Sequence, residues 1–379
     1  MPRSVRRPPR PPGAETDSLA AMAPVDDWRE VLVVSAAYET GVLERLATPG
    51  TPDAVADELG LDRRAVRITV EALIDRGWAT GGAGRVELSP AGVAAMRPDS
   101  TDQTIAEVLL SAREIAAYLQ LPTTLANGAP SHDVSAGDVA TRQRFLAAMR
   151  AVSSRRAPAT SSALAPPAGG GRLLDVGGGP GTYARAFTQA GWDVTVMDLP
   201  ESLELGGADL ALWGVRQIPG DVTAGIPVGP WDCVYLGNIT HLFGPESAAQ
   251  LVARAGAALV PGGRLAIQEV VRGLAAQAAL FGVAMLVGTR AGDVYDQATY
   301  AGWMAAAGCP LVEVVATEPE RHHLLIGVRG RAPALGILVY RRRRGRRSGS
   351  RSAHGSRSPI PTWGRSCTTA AIHISWIAR

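Results

Sequence analysis

Leu173-Leu174-Asp175-Val176-Gly177-Gly178-Gly179-Pro180-Gly181-Thr182-Tyr183 is the stretch whose reading decides the fold. An apolar strand closes on an acid, a glycine-rich turn follows, and a helix begins. Without β-carbons, such a turn lets a ligand approach the backbone closely. Spacing separates the ligand classes. A dinucleotide fingerprint needs glycines at 177, 179 and 182, and position 182 is threonine. The glycines fall at 177, 179 and 181 instead, with Asp175 two residues ahead of the first.

Toward the C-terminus, strand and helix patterns alternate. Strands are expected at 172–176, 192–197, 215–218, 231–236, 264–270, 311–317 and 322–328. Helical patterns separate the first six, the signature of a parallel doubly wound sheet. A short turn joins the last two, so the final strand must run antiparallel. In such sheets the carboxyl ends of the strands face the ligand crevice, and several polar residues fall there. Asp198 ends the second strand, 21 residues after Gly177, where a carboxylate accepts from ribose hydroxyls. The competing reading is a cap on the Asp198-Leu199-Pro200 turn. Asp221 follows the third strand, placed to accept from an adenine amino group with Val222 on the ring; an ordinary turn aspartate is the alternative. The fourth strand leads into Gly237-Asn238-Ile239-Thr240-His241, so His241 belongs to the rim, where an imidazole suits proton removal. Glu269, at the end of the fifth strand, faces the same crevice and is placed to orient His241 and stabilise its protonated form. His132, His322, His323, His354 and His373 lack such placement, and His322 and His323 read as edge or turn residues.

Ahead of this body lie other patterns. Residues 1–24 read as a disordered basic lead-in. An apolar helix runs from about Asp27 to Leu46, and Thr51-Pro52-Asp53 starts a short helix that Gly60 ends. Leu61-Asp62 caps a second helix with Val66, Val70, Leu73 and Ile74 on one face. Trp78-Ala79-Thr80 and Arg85-Val86-Glu87-Leu88 pair as a hairpin around glycines, giving a winged helix. The organisation expected is a winged-helix domain over 25–100, two or three connecting helices over 101–165, the α/β body over 166–330, and a disordered Arg-rich tail over 331–379. A chain of 379 residues comfortably holds two domains.

There is no lysine, so all 38 basic residues are arginine. Four lie in residues 1–12 and twelve in 329–379, segments without an acid, so the body between is acidic. An acidic body does not suit wholesale binding of nucleic acid. Arg63, Arg64 and Arg67 accordingly read as a solvated helix face rather than a DNA-reading one. Cys233, Cys309 and Cys367 fit no metal spacing and no disulfide framework, which points to no metal and a cytoplasmic setting. The N-terminus has no apolar core of a signal peptide, and the longest apolar stretch, around Gly273–Gly288, is too short for a membrane span.

The acid-x-Gly-x-Gly-x-Gly spacing resembles the pattern that binds S-adenosylmethionine (SAM), whose sulfonium and zwitterionic amino-acid end call for carbonyls and a nearby acid. With Asp198-Leu199-Pro200, Asn238-Ile239-Thr240-His241 and Pro261-Gly262-Gly263-Arg264-Leu265, the chain from about Trp28 to Gly330 resembles a known family. It is that of SAM-dependent small-molecule O-methyltransferases with an N-terminal winged-helix dimerisation domain, which includes plant caffeic-acid-type and bacterial natural-product tailoring enzymes. The resemblance implies a Rossmann-like seven-stranded sheet and SAM held by Asp175, Gly177, Gly179, Gly181, Asp198, Leu199, Asp221, Val222 and Asn238. It implies His241 as the base that deprotonates the acceptor, with Glu269 as the first flanking acid. The second acid falls near Val294, where this chain departs from the plant pattern, and Asp293 is the closest substitute. Met285, Trp303 and Met304 occupy acceptor-lining positions, and the N-terminal domain implies a homodimer. Two other readings use the same residues: methylation of carbon or nitrogen, or SAM-dependent hydroxylation or decarboxylation, on this scaffold; and a SAM-sensing DNA-binding regulator.

Overall fold

A computed structural model describes residues 27–82, 84–97, 105–128, 130, 139–330 and 339–341. The N-terminal part comprises helices α1 (Trp28–Glu39), α2 (Val42–Arg45), α3 (Pro52–Leu59) and α4 (Arg63–Asp75), a hairpin of β1 (Ala79–Gly82) and β2 (Arg85–Leu88), and α5 (Pro90–Ala95). Side chains of Asp27, Thr51, Asp62 and Ser89 cap α1, α3, α4 and α5 by accepting from first-turn N–H groups. The single helix expected to reach Leu46 is broken at Gly41, whose φ of 79° cannot continue a helix. The helix–turn–helix and hairpin otherwise fall where the sequence placed them.

Val34, Leu43, Leu46, Val55, Val70, Leu73 and Trp78 form the buried centre of this part. Trp78 is fully buried, and its Nε1 donates to Glu30 Oε1 at 3.1 Å. The other Glu30 oxygen takes the Arg76 guanidinium. Trp78→Ala is expected to cost about 3–5 kcal/mol, since it opens a large cavity and removes a donor from a buried acid. Urea unfolding of the full chain, followed by far-UV circular dichroism, reads this loss.

Three helices connect the parts: α6 (Ile105–Tyr118), α7 (Leu121–Asn127) and α8 (Val139–Ala163). The body then runs β3 (Arg172–Val176), α9 (Thr182–Gln189), β4 (Asp193–Asp198), α10 (Pro200–Leu212), β5 (Arg216–Pro219), β6 (Trp231–Gly237), α11 (Pro245–Ala257), β7 (Leu259–Glu269), α12 (Ala278–Gly288), α13 (Gln297–Ala306), β8 (Leu311–Glu318) and β9 (His322–Val328). A further strand, β10 (Val339–Arg341), pairs parallel to β8. It falls in the segment expected to be a disordered tail, so three residues of that segment are a strand instead; the rest lies outside the described residues. The sheet order is β10-β8-β9-β7-β6-β3-β4-β5. Strands β7, β6, β3, β4 and β5 are parallel, and β9 is antiparallel to both its neighbours.

Each of the seven expected strands is present. The fifth begins earlier than expected, at Leu259, with a register shift against β6 between Trp231 and Cys233. His322 and His323 are not edge residues. Strand β9 lies inside the sheet, and both histidines are buried. Alternating residues of each strand feed two cores. Leu173, Phe187, Trp192, Tyr235 and Ala266 pack with α8 and α9 on one face. Leu174, Val234, Leu236, Leu251, Ile267 and Tyr300 pack with α11 and α13 on the other. Chain order reverses at β3, with β4 on one side and β6 on the other, and a crevice opens beyond the carboxyl ends of strands at such a switch point. Among the described residues, no helix is long and apolar enough to cross a membrane.

Candidate active site

At that switch point Gly177, Gly179 and Gly181 have φ values of 70°, 51° and 74°, a conformation that disfavours any side chain. The Gly177 N–H donates to the Met197 carbonyl at 2.8 Å, which ties the turn to β4. A cleft opens above the turn. Asp175, Gly177–Pro180, Tyr183, Tyr235 and Asn238 line it from the sheet side, and Phe145, Met149, Ser153 and Arg156 line it from α8. The cleft therefore draws on residues ahead of 166, and α8 is a wall of it as well as a connector.

Asp175 is 1% exposed, and its Oδ2 has no hydrogen-bond partner among the described residues. Burial, and then the neighbouring Asp198, push its carboxyl up to about 8. The Asn238 Oδ1 is likewise buried without a partner, on a backbone at φ 55° fixed by its N–H donating to the Gln268 carbonyl at 2.8 Å. A buried acid and a buried amide oxygen aimed at a glycine cradle suit a ligand that brings cationic and N–H groups.

The raised Asp175 value carries a pH prediction. Its folded value, about 8, lies above the unfolded value near 3.8, so the folded chain binds this proton more tightly. This contribution is fully present below the unfolded value and is lost as pH rises through the folded one, at a slope of at most about 1.4 kcal/mol per pH unit. Thermal melts of the ligand-free protein at pH 5 and pH 8 should show this decline, and Asp175→Asn should flatten it.

Three acids have partners other than those expected. Asp198 is buried; its Oδ2 accepts from the Gly179 N–H at 2.7 Å and its Oδ1 from the Leu199 N–H at 2.7 Å. It holds the glycine turn. Asp221 Oδ1 accepts from the N–H and hydroxyl of Thr223, both at 2.8 Å, as a turn aspartate does. Val222 is buried in the core, and Leu199 packs against it half-buried. Asp293, with a side chain 50% exposed, takes the Arg272 guanidinium at 2.8 Å. Its link to His241 is through the backbone, its N–H donating to the His241 carbonyl at 3.1 Å.

His241 and Glu269 do come together. A short 3₁₀ turn (Thr240–Leu242) places His241 beyond β6, and Glu269 ends the adjacent β7. His241 Nδ1 lies 2.6 Å from Glu269 Oε2, with both side chains at most 1% exposed. Glu269 Oε1 accepts from the Thr240 N–H at 2.9 Å, the Thr240 hydroxyl at 2.8 Å and the His241 N–H at 3.3 Å. Burial alone would raise the Glu269 carboxyl, but His241 and these donors outweigh it and hold it below the usual value. His241 Nε2 is buried with no partner among the described residues. The Phe281 ring covers the imidazole edge-on, centroids 5.0 Å apart.

Of the acceptor-lining candidates, Met285 is fully buried in the Phe281 cluster beside His241. Trp303 joins Tyr295 and Tyr300 in an aromatic group, at 4.7 and 5.5 Å between centroids. Met304 is fully buried core. Thr240, Tyr300, Phe281, Ser153 and Arg156 are site residues the sequence reading passed over. The Tyr300 hydroxyl lies 2.9 Å from Thr240 Oγ1 and so supports the Glu269 cluster from behind. Among the described residues, no group of His, Cys, Asp and Glu is arranged to hold a metal.

Residues 142–314 match the family described as a methyltransferase domain. Over that segment the chain is similar to a methyltransferase domain. The chain is 33% identical over 114 residues to the 3-amino-4-hydroxybenzoate 4-O-methyltransferase of Streptomyces cremeus, a match spanning 29% of this chain and 31% of that enzyme's length. In fold it is similar to the mitomycin 7-O-methyltransferase MmcR, with a TM-score of 0.68 and 21% identity over 80% of this chain and 94% of that one. Human N-acetylserotonin methyltransferase in complex with SAM has a TM-score of 0.66 and 19% identity, over 80% of this chain and 95% of that one.

Proposed function

We propose that the chain is a SAM-dependent O-methyltransferase acting on a hydroxyl of a small aromatic or polyketide-like acceptor, with His241 as general base. The observation that carries this is the clamped imidazole: Glu269 holds Nδ1 at 2.6 Å, while Nε2 is buried and unpartnered. When bound, SAM supplies an already activated methyl group. The protein's tasks are then to bring the acceptor close, exclude water and take the hydroxyl proton. With Nδ1–H donated to an ionised Glu269, Nε2 is the acceptor nitrogen, and the imidazolium formed on proton transfer is stabilised by that carboxylate. Since His241 is 1% exposed, the acceptor reaches Nε2 only when its cover, including Phe281, gives way. Asp175, Asn238 and the glycine turn hold the cofactor; Asp198 acts through the turn it fixes, and Asp221, Val222 and Leu199 frame the adenosyl end. Asp293 serves through the backbone of His241.

The aromatic hydroxyl class is supported by the relative that methylates 3-amino-4-hydroxybenzoate. A cytoplasmic homodimer built through the N-terminal part completes the reading; the exposed Trp28 and Leu32 of α1 give it an apolar surface to cover. The test is incubation with methyl-labelled SAM and a panel of phenols beginning with 3-amino-4-hydroxybenzoate. A labelled methyl ether is expected. A product that gains oxygen, or a labelled methyl on carbon or nitrogen, contradicts the assignment.

A further inference from the structure

Helix α6 packs in two directions. Ile105, Val108, Ala112 and Ile115 pack on the core of the N-terminal part. Leu110, Glu114 and Tyr118 are spaced four residues apart, so they share a second face. The two ends of that face reach different parts of the candidate site. Leu110 is buried with Phe145 and Met149, which line the cofactor cleft from α8. Tyr118 packs against the cluster of Phe281 and Met285, and its hydroxyl donates to the Leu280 carbonyl at 2.9 Å. Phe281 in turn covers His241.

Glu114 lies midway between these ends and so faces the space between the cleft and the imidazole. A methyl acceptor has to occupy that space, since it must meet the methyl donor and give its proton to His241. Glu114 is 8% exposed. Its charge is felt along the face: burial, and then Glu114, push the Tyr118 hydroxyl up to about 12. Phe145 and Met149 on one side of the space and Phe281 and Met285 on the other are apolar. A carboxyl group in such surroundings favours a ligand that brings it a donor and penalises one that presents an apolar group. Two turns earlier on α6, Glu107 serves packing instead, taking the Arg155 guanidinium at 2.7 Å.

We propose that Glu114 accepts a hydrogen bond from the methyl acceptor, and so selects acceptors that carry an N–H or O–H donor besides the hydroxyl that reacts. This rests on the O-methyltransferase reading and narrows its substrate class. Glu114 binds the acceptor and takes no part in proton transfer, which stays with His241.

Competition assays on the full chain test it, with labelled SAM and the ortho and meta isomers of aminophenol, dihydroxybenzene and methylphenol. Methyl ethers are the product scored. In the better isomer series, wild type is expected to prefer a donor-bearing phenol over the methylphenol by about 10–100-fold in kcat/KM, the worth of a hydrogen bond to a charged group. Whether the aminophenol or the dihydroxybenzene leads tells an N–H donor from an O–H donor. Glu114→Leu should bring the preference to within about threefold, and Glu114→Gln, which keeps an acceptor oxygen, should leave a few-fold. Glu107→Gln should keep the wild-type preference. Calorimetry should show S-adenosylhomocysteine (SAH) bound within about twofold of wild type by each Glu114 variant. An unchanged preference in folded Glu114→Leu, or in Glu114→Gln if that alone folds, overturns the assignment. So does an equal loss in Glu107→Gln, which would trace the effect to the packing of α6. Wild type that methylates all three phenols alike overturns this assignment alone. Wild type that binds SAH but methylates none of them sinks the acceptor reading as well.

Discussion

Replacing His241 by Gln is expected to lower kcat by about 10²–10⁴-fold while SAH affinity stays within about twofold. The imidazole lies past the end of β6, and the cleft-lining side chains that hold the cofactor are other residues. Loss of the base should therefore remove proton transfer without disturbing the cradle. Rapid-quench measurement of methyl transfer, paired with calorimetry, separates the two effects. Full activity in the variant would take the base assignment away from His241.

Glu269→Gln is expected to be nearly as damaging, for a reason legible in the hydrogen bonds. Oε1 collects three donors, the Thr240 N–H, the Thr240 hydroxyl and the His241 N–H. In an amide, the carbonyl oxygen must take that position, because the NH₂ cannot accept. The NH₂ then faces His241 Nδ1 and makes it an acceptor, which leaves the proton on Nε2. The wrong tautomer cannot act as base. A loss of about 10²–10⁴-fold in kcat follows, with little change in KM for either substrate. Glu269→Gln with wild-type turnover would show that the tautomer is not set by this carboxylate.

The sheet was legible because its signals are local. A buried parallel strand is a short apolar run between breakers, and each such run from Arg172 to Val328 proved to be a strand within a few residues. The His241–Glu269 pair was legible because both residues end adjacent strands, so strand order alone brings them together. What was not legible depended on partners set by the folded chain. The bond that Asp198 accepts from the Gly179 N–H is made only once the turn folds back on β4. Asp293 reads as a second acid until Arg272 is seen to occupy it. The wall formed by α8 was hidden for another reason. Its arginines, among them Arg142, Arg144, Arg150, Arg155 and Arg156, are spread around the helix, so no apolar face betrays which side is buried. Arg156 is buried because His322 and Glu318 wait on β9 and β8.

The most direct test of the account is equilibrium titration of the purified full-length protein with SAH and, separately, with NAD. Glycines at 177, 179 and 181 behind a buried Asp175, with no glycine at 182, predict one tight SAH site per chain and no measurable NAD binding. Binding of NAD, or indifference to SAH by a folded chain, would contradict it.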